Sequence, residues 1–91
     1  MAGSHLSQRL RGRGKKIVLI DQELLSLLDR HLRIALETGK IKKQAETKFY
    51  DPEREKEVLE KLKIKNKGPL VEEDLKKIFK TIIRVCRKYQ I

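Results

Sequence analysis

The fold of this chain is decided by residues 24–41, which read LLSLLDRHLRIALETGKI. Their apolar side chains recur every three or four positions, which is typical of one face of an α-helix. The members of this stripe are Leu24, Leu25, Leu28, Leu32, Ala35, Leu36 and Ile41. Just upstream, Ile17-Val18-Leu19-Ile20 could also form a buried strand. Because the sequence offers no partner strand, apart from pairing between protomers, we predict one long helix from about residue 17 to about residue 45.

The composition indicates a small all-α domain. The 91 residues are 38% hydrophobic, 40% charged and only 4% aromatic, with no Trp. Amphipathic helices fit this balance better than a β-sandwich core. A chain of this length buries a limited share of its surface when it folds alone, so we expect it to oligomerise.

Two further helices are predicted from local signals. Asp51 and Pro52 are typical of an N-cap and a first helical position, and this second helix is expected to end near residue 65. The segment Asn66-Lys67-Gly68-Pro69 stops it, and Val71-Glu72-Glu73-Asp74 opens the third helix. The inward positions predicted for the third helix are Leu75, Ile78, Phe79, Ile82, Ile83 and Cys86, with Gln90 on the same face.

The net charge of +10 is unevenly distributed. Residues 1–16 are rich in Gly, Ser and Arg, carry five basic residues and no acid, and show no periodicity. We therefore expect a loosely ordered basic segment, in which Gly3-Ser4-His5 is typical of a cloning remnant, ahead of a helical domain at 17–91. Elsewhere Glu and Lys alternate at helical spacing, and no aromatic residues for base stacking are interleaved with the basic ones, so nucleic-acid binding is disfavoured.

The sequence predicts neither a metal site nor a cofactor. The single cysteine, Cys86, excludes an internal disulfide, and no Cys/His cluster has zinc-site spacing. No apolar run approaches the roughly 20 residues that span a bilayer, and the start does not read as a signal peptide. We therefore expect a soluble protein of the reducing cytoplasm, without membrane contact.

Several short segments recur together in a known family. They are Ile20-Asp21, Leu24-Leu25-Ser26-Leu27-Leu28, Gly39-Lys40-Ile41-Lys42, Tyr50-Asp51-Pro52-Glu53-Arg54-Glu55, Gly68-Pro69-Leu70, Ile78-Phe79 and Gln90. In this order they resemble the all-helical chorismate mutase family. The resemblance covers about residues 20–90, and its most specific part is the DPERE segment at 51–55 with Lys42 upstream.

The resemblance implies three helices per chain and two chains intertwined as a homodimer, with two shared active sites. It also implies a small dianionic ligand, chorismate, which is converted to prephenate by a pericyclic rearrangement without metal or cofactor. Helix length favours the same assembly. A first helix of roughly 28 residues would be about 42 Å long, more than two shorter helices of one chain can cover, so a symmetric dimer would bury the remaining stripe.

The resemblance also assigns roles to individual residues. Lys42 would donate to the ether oxygen and to a carboxylate, and Gln90 would donate to the same oxygen from the other side. Arg54 would face the ligand, and Glu55 would accept from the substrate hydroxyl. Asp51 would assist that contact or cap its helix, and we favour the cap because Asp-Pro-Glu needs no ligand to explain it. Taken singly, each of these residues could instead be an ordinary helix-end or surface group.

Three positions depart from the family pattern. His31 stands where the family has an arginine that clamps a carboxylate, and neutral imidazole offers a single donor in place of a charged fork. Gly14 stands where an arginine reaches into the partner's site. Arg11 and Arg13 are nearby candidates to replace it, although Gly12 and Gly14 disfavour a regular helix there. Cys86 stands where serine is usual, a weaker donor in contact with substrate.

These matches and departures predict a chorismate mutase of phenylalanine and tyrosine biosynthesis with altered anion-binding residues. One alternative is a catalytically impaired mutase-like domain that serves dimerisation or ligand sensing in a shikimate-pathway enzyme, either fused or associated. An isochorismate pyruvate lyase is a second alternative, against which Glu55 argues. A basic nucleic-acid-binding dimer is the third.

Overall fold

A computed structural model describes residues 2–45 and 51–90 of the chain, and all its regular structure is helical. The helices are α1 (Ala2–Gln44), α2 (Pro52–Lys65) and α3 (Glu72–Gln90). The predicted all-α fold with three helices and a long first helix is confirmed, and residues 17–20 are helical. The intertwined pairing of two chains stays a prediction. Among the described residues, no helix combines the length and apolarity needed to cross a membrane.

The start of α1 corrects one expectation. The helix begins at Ala2 rather than near residue 17, so residues 2–16 are helical where loose order was predicted. Extending an existing helix needs no new nucleation, and the Arg, Lys, Gln and Leu of this segment propagate helices well. Gly12 and Gly14 each cost only about 1 kcal/mol relative to Ala, which is too little to end the helix. The domain division after residue 16 stays a prediction.

The described residues form two compact units, Met1–His31 and Leu32–Ile91. In the first unit every side chain from residue 5 to residue 31 is exposed. The exposed set includes its large apolar residues, among them Leu10 (70%) and Leu25 (68%). This part of α1 therefore presents its apolar stripe uncovered within the single chain.

The second unit holds the small core of the chain. Its buried apolar residues are Ala35, Leu75 and Cys86, while Phe79, Ile82 and Ile83 are half-buried. Ile78 was predicted to point inward but is 47% exposed. At 100° per residue along the helix, Ile78 lies at the edge of the apolar stripe formed by the buried residues of α3. Its side chain is therefore only partly covered by the core.

A short polar connection joins α2 to α3. Asn66 ends α2, its Nδ2 donates to the Leu70 carbonyl (2.7 Å), and its Oδ1 accepts from the Gly68 amide (3.3 Å). Lys63 then pairs with Glu72 at the start of α3 (2.9 Å). The hydrogen bond in this exposed pair raises the pKa of Lys63 and lowers that of Glu72. The connection keeps the two helices adjacent, which positions the site described next.

Candidate active site

Lys42 and Gln90 meet at the ends of α1 and α3. Lys42 occupies the last turn of α1 and Gln90 the last residue of α3. The Lys42 Nζ donates to Gln90 Oε1 at 3.1 Å, and both side chains are half-buried. Two residues that the sequence analysis proposed as partners in one site are therefore in direct contact.

Gly39 makes this meeting possible. It is buried one turn before Lys42. A Cβ built on Gly39 would collide with the Gln90 carbonyl oxygen and would lie only 2.7 Å from its Cα and 2.9 Å from its carbonyl carbon. These are backbone atoms, which cannot swing aside as a side chain can. The missing side chain thus lets the backbone of α1 come close enough for Lys42 to reach Gln90.

Glu55 and Arg87 form a second pair, between α2 and α3. Arg87 Nη1 lies 3.3 Å from both Oε1 and Oε2 of Glu55. Both side chains are largely covered, with 30% and 24% of their surface exposed. Glu55 was a predicted site residue, but Arg87 was missed. The signal available in the sequence is that Arg87 precedes Gln90 by three residues, which puts the two on neighbouring turns of one helix.

Asp51 and Arg54 meet through the backbone at the start of α2. Asp51 is the N-cap, and its Oδ1 accepts a hydrogen bond from the Arg54 backbone N–H (3.1 Å). Pro52 follows at the first helical position, and Glu53 and Glu55 lie in the first turn near the positive end of the helix dipole. The cap geometry expected for Asp51 is therefore present. The Arg54 side chain is exposed.

Cys86 lies one helical turn before Gln90 and is only 6% exposed. Burial raises the pKa of its thiol, because a thiolate would lose hydration there. It is therefore a neutral thiol and a weak hydrogen-bond donor near physiological pH. The remaining predicted residues, His31, Arg11 and Arg13, are exposed and belong to the first unit, Met1–His31.

An open groove of about 500 Å³ runs between α2 and α3. Glu55 and Arg87 line it together with the apolar Pro52, Leu59 and Ile83. Lys56, Lys80 and Arg84 add positive charge, and Glu60 adds a further acid. In residues 2–45 and 51–90 no cluster of three His, Cys, Asp or Glu side chains could hold a metal ion. The chemistry that this arrangement can supply is hydrogen-bond donation and positive charge for an anionic ligand.

Comparison with known families identifies the family of this chain. The family model described as chorismate mutase type II matches residues 14–91. This chain belongs to the chorismate mutase type II family. Within the matched segment lie Lys42, Gln90, Glu55 and Arg87, so both pairs belong to the part of the chain that the family shares.

Individual relatives of this chorismate mutase type II member are larger proteins. A bifunctional chorismate mutase/prephenate dehydratase of Aquifex aeolicus (strain VF5) is 38% identical over 76 residues, which is 79% of this chain and 21% of the relative. Those of Stutzerimonas stutzeri and Pseudomonas aeruginosa are 36% and 34% identical over 76 residues, which is 78% of this chain and 21% of each relative. The chain thus spans about a fifth of the length of these curated relatives.

Proposed function

We propose that this chain rearranges chorismate to prephenate at a site built around Lys42 and Gln90. The observation that carries the proposal is the 3.1 Å hydrogen bond between their side chains. The bond joins residues 48 positions apart. Folding therefore brings together a cation and an amide that the family pattern assigns to one oxygen atom.

The reaction breaks one C–O bond while one C–C bond forms, and negative charge grows on the ether oxygen in the transition state. Donors aimed at that oxygen stabilise the transition state more than the substrate, which is what accelerates a reaction. No nucleophile or proton transfer is needed. The chain's task is to hold a flexible dianion in a compact conformation and to present those donors.

The orientation of the Gln90 amide suits this task. Because Oε1 accepts from Lys42, the NH₂ group of the same amide is turned away from the ammonium and can donate to the ligand. The hydrogen-bond partner fixes this assignment of oxygen and nitrogen. The Lys42 ammonium carries three N–H donors and can bond the ether oxygen and a carboxylate while Gln90 holds it in place.

The residues of α2 take supporting roles in the proposal. Glu55 accepts from the substrate hydroxyl, and Arg54 faces the ligand at the start of the helix. Asp51 acts through the cap that fixes this helix start. With His31 and Gly14 at two arginine positions of the family, carboxylate binding is weaker than the family pattern would give.

We also propose that two copies assemble into a homodimer through the first part of α1. All of its described side chains from residue 5 to residue 31 are exposed, including a continuous set of Leu, Ile and Val residues. Soluble proteins rarely leave a long apolar stripe in water. A second copy offers the same stripe, and a symmetric pair would cover both.

The relatives indicate which activity would act together with this chain. The relatives are named as bifunctional chorismate mutase/prephenate dehydratases, and the family match of this chain is to the mutase. A dehydratase that consumes the prephenate formed here, fused or separate, is therefore the proposed partner. The buried thiol of Cys86, which forms no disulfide, suits a reducing compartment such as the cytoplasm.

The decisive experiment replaces Lys42 by Ala and follows the loss of chorismate absorbance with product analysis. Lys42→Ala should lower kcat by about 10²- to 10³-fold, which is the effect of removing one donor to a developing oxyanion. Lys43→Ala makes the same change at the exposed neighbouring residue and should leave kcat unchanged. Prephenate binding without turnover by the unmodified chain would instead indicate a ligand-sensing domain. Pyruvate and salicylate formed from isochorismate would indicate a lyase.

A further inference from the structure

A dianion in this site needs a buried or half-buried cation beyond Lys42, because two arginine positions of the family hold His31 and Gly14 and the Arg54 side chain is exposed. We propose that Arg87 binds the second carboxylate of the substrate, an inference that rests on the proposed function. Arg87 has no counterpart among the residues that the sequence pattern assigned to the site. Its position, its partner and the groove around it carry the inference.

The position of Arg87 fits a two-point anion site. Residues three apart on a helix have their Cβ atoms about 5–6 Å apart, so Arg87 and Gln90 stand on adjacent turns of α3. The Lys42 ammonium lies 3.1 Å from the Gln90 side chain. Two cationic residues thus neighbour one amide residue, and chorismate likewise carries two carboxylates besides its ether oxygen.

Glu55 orients the guanidinium group of Arg87. It accepts from Arg87 Nη1 with both carboxylate oxygens at 3.3 Å. A guanidinium presents five N–H donors in a planar fork, so it can bridge Glu55 and a ligand carboxylate at the same time. Because the pair is mostly shielded from solvent, the attraction for an incoming carboxylate is less screened than at an open surface.

The groove that Arg87 borders carries further positive charge, although Lys42 and Gln90 are not among its lining residues. Arg87 and Glu55 border the groove of about 500 Å³ between α2 and α3, whose apolar lining includes Leu59 and Ile83. Lys56 and Lys80 lie along the same groove. A groove lined by apolar and positively charged side chains suits a carbocyclic ring that carries carboxylates.

Calorimetry on purified variants tests the inference with two ligands, prephenate with two carboxylates and shikimate with one. Arg87→Gln should weaken prephenate binding about ten- to hundredfold, the range for a lost charge-assisted hydrogen bond, and leave shikimate binding as in the unmodified chain. Arg87→Lys keeps the positive charge but loses the planar, forked set of donors. Its affinity for prephenate should therefore lie between that of Arg87→Gln and that of the unmodified chain. Lys88→Gln removes the same charge from the exposed neighbouring residue and should change neither affinity.

The possible outcomes separate the inference from the function on which it rests. Equal weakening of both ligands by Arg87→Gln, or weakening of neither, overturns the role of Arg87. If Arg87→Gln does not fold by circular dichroism, the same comparison on Arg87→Lys decides. Binding of prephenate that depends on Arg87 without turnover supports the inference and overturns the mutase function, and no prephenate binding by the unmodified chain overturns both.

Discussion

At Gly39 the absence of a side chain allows α1 to touch the backbone of Gln90. We expect Gly39→Ala to push the end of α3 away, because the new Cβ would lie within 3 Å of two backbone carbon atoms. Overpacking of this kind costs about 1–3 kcal/mol of unfolding free energy. Since it also lengthens the Lys42–Gln90 bond, chorismate turnover should fall by more than the loss of folded protein explains. Urea unfolding and turnover measured on one preparation check both effects.

The same substitution elsewhere in α1 serves as the control. A Cβ at Gly14 would meet no atom within 4 Å. Gly14→Ala should therefore stabilise the helix by up to about 1 kcal/mol, as Ala does relative to Gly in helices. If Gly39→Ala behaved like Gly14→Ala, the close approach at Gln90 would not be required for the site.

Sequence reasoning identified part of the site, and its one clear omission has a physical cause. Lys42 and Gln90 could be paired in advance because the family pattern names both. Arg87 could not, because its role depends on how α2 is rotated against α3, which decides that Glu55 turns toward Arg87. Local sequence signals do not encode that rotation. Ile78 was also expected to be buried but is 47% exposed, because it lies at the edge of the apolar stripe of α3.

At the scale of one helix, α2 depends on its cap. Asp51→Ala should cost about 0.5–2 kcal/mol of unfolding free energy, because the Arg54 N–H loses its acceptor. Asp51→Asn, which keeps a capping oxygen, should cost much less. Thermal or urea unfolding of the two variants gives the comparison. If Asp51 serves only as a cap, kcat at saturating chorismate should stay close to that of the unmodified chain in both variants. A large fall in kcat for Asp51→Asn would instead show that Asp51 contacts the ligand.

Helix boundaries were predictable where a strong local signal marks them. Asp51-Pro52 fixes the start of α2, and Asn66 with Gly68-Pro69 marks its end, as the structure confirms. The start of α1 was not predictable in this way. Whether a helix continues through Gly12 and Gly14 depends on small helix propensities summed over many residues. The unfavourable propensities of two glycines are outweighed by the favourable free energy of extending a helix that is already formed.

At the scale of the whole molecule, the exposed stripe of α1 makes association testable with one residue. Leu25 is 68% exposed in the single chain, so for a monomer Leu25→Glu should change stability by no more than about 0.5 kcal/mol. In the proposed dimer it would bury a charge and drive the copies apart. Sedimentation at matched concentrations should show a dimer for the unmodified chain and for Gln22→Glu, an exposed control, and a monomer for Leu25→Glu.

Gln90 is the last residue of α3, and helix ends open more readily than helix middles. One of the two proposed donors is therefore attached to the part of that helix that unwinds first, while Lys42 sits on a different helix. Moderate warming should therefore reduce chorismate turnover at temperatures below the global unfolding transition. A bound dianion that contacts both Lys42 and Gln90 would stabilise this terminus against fraying.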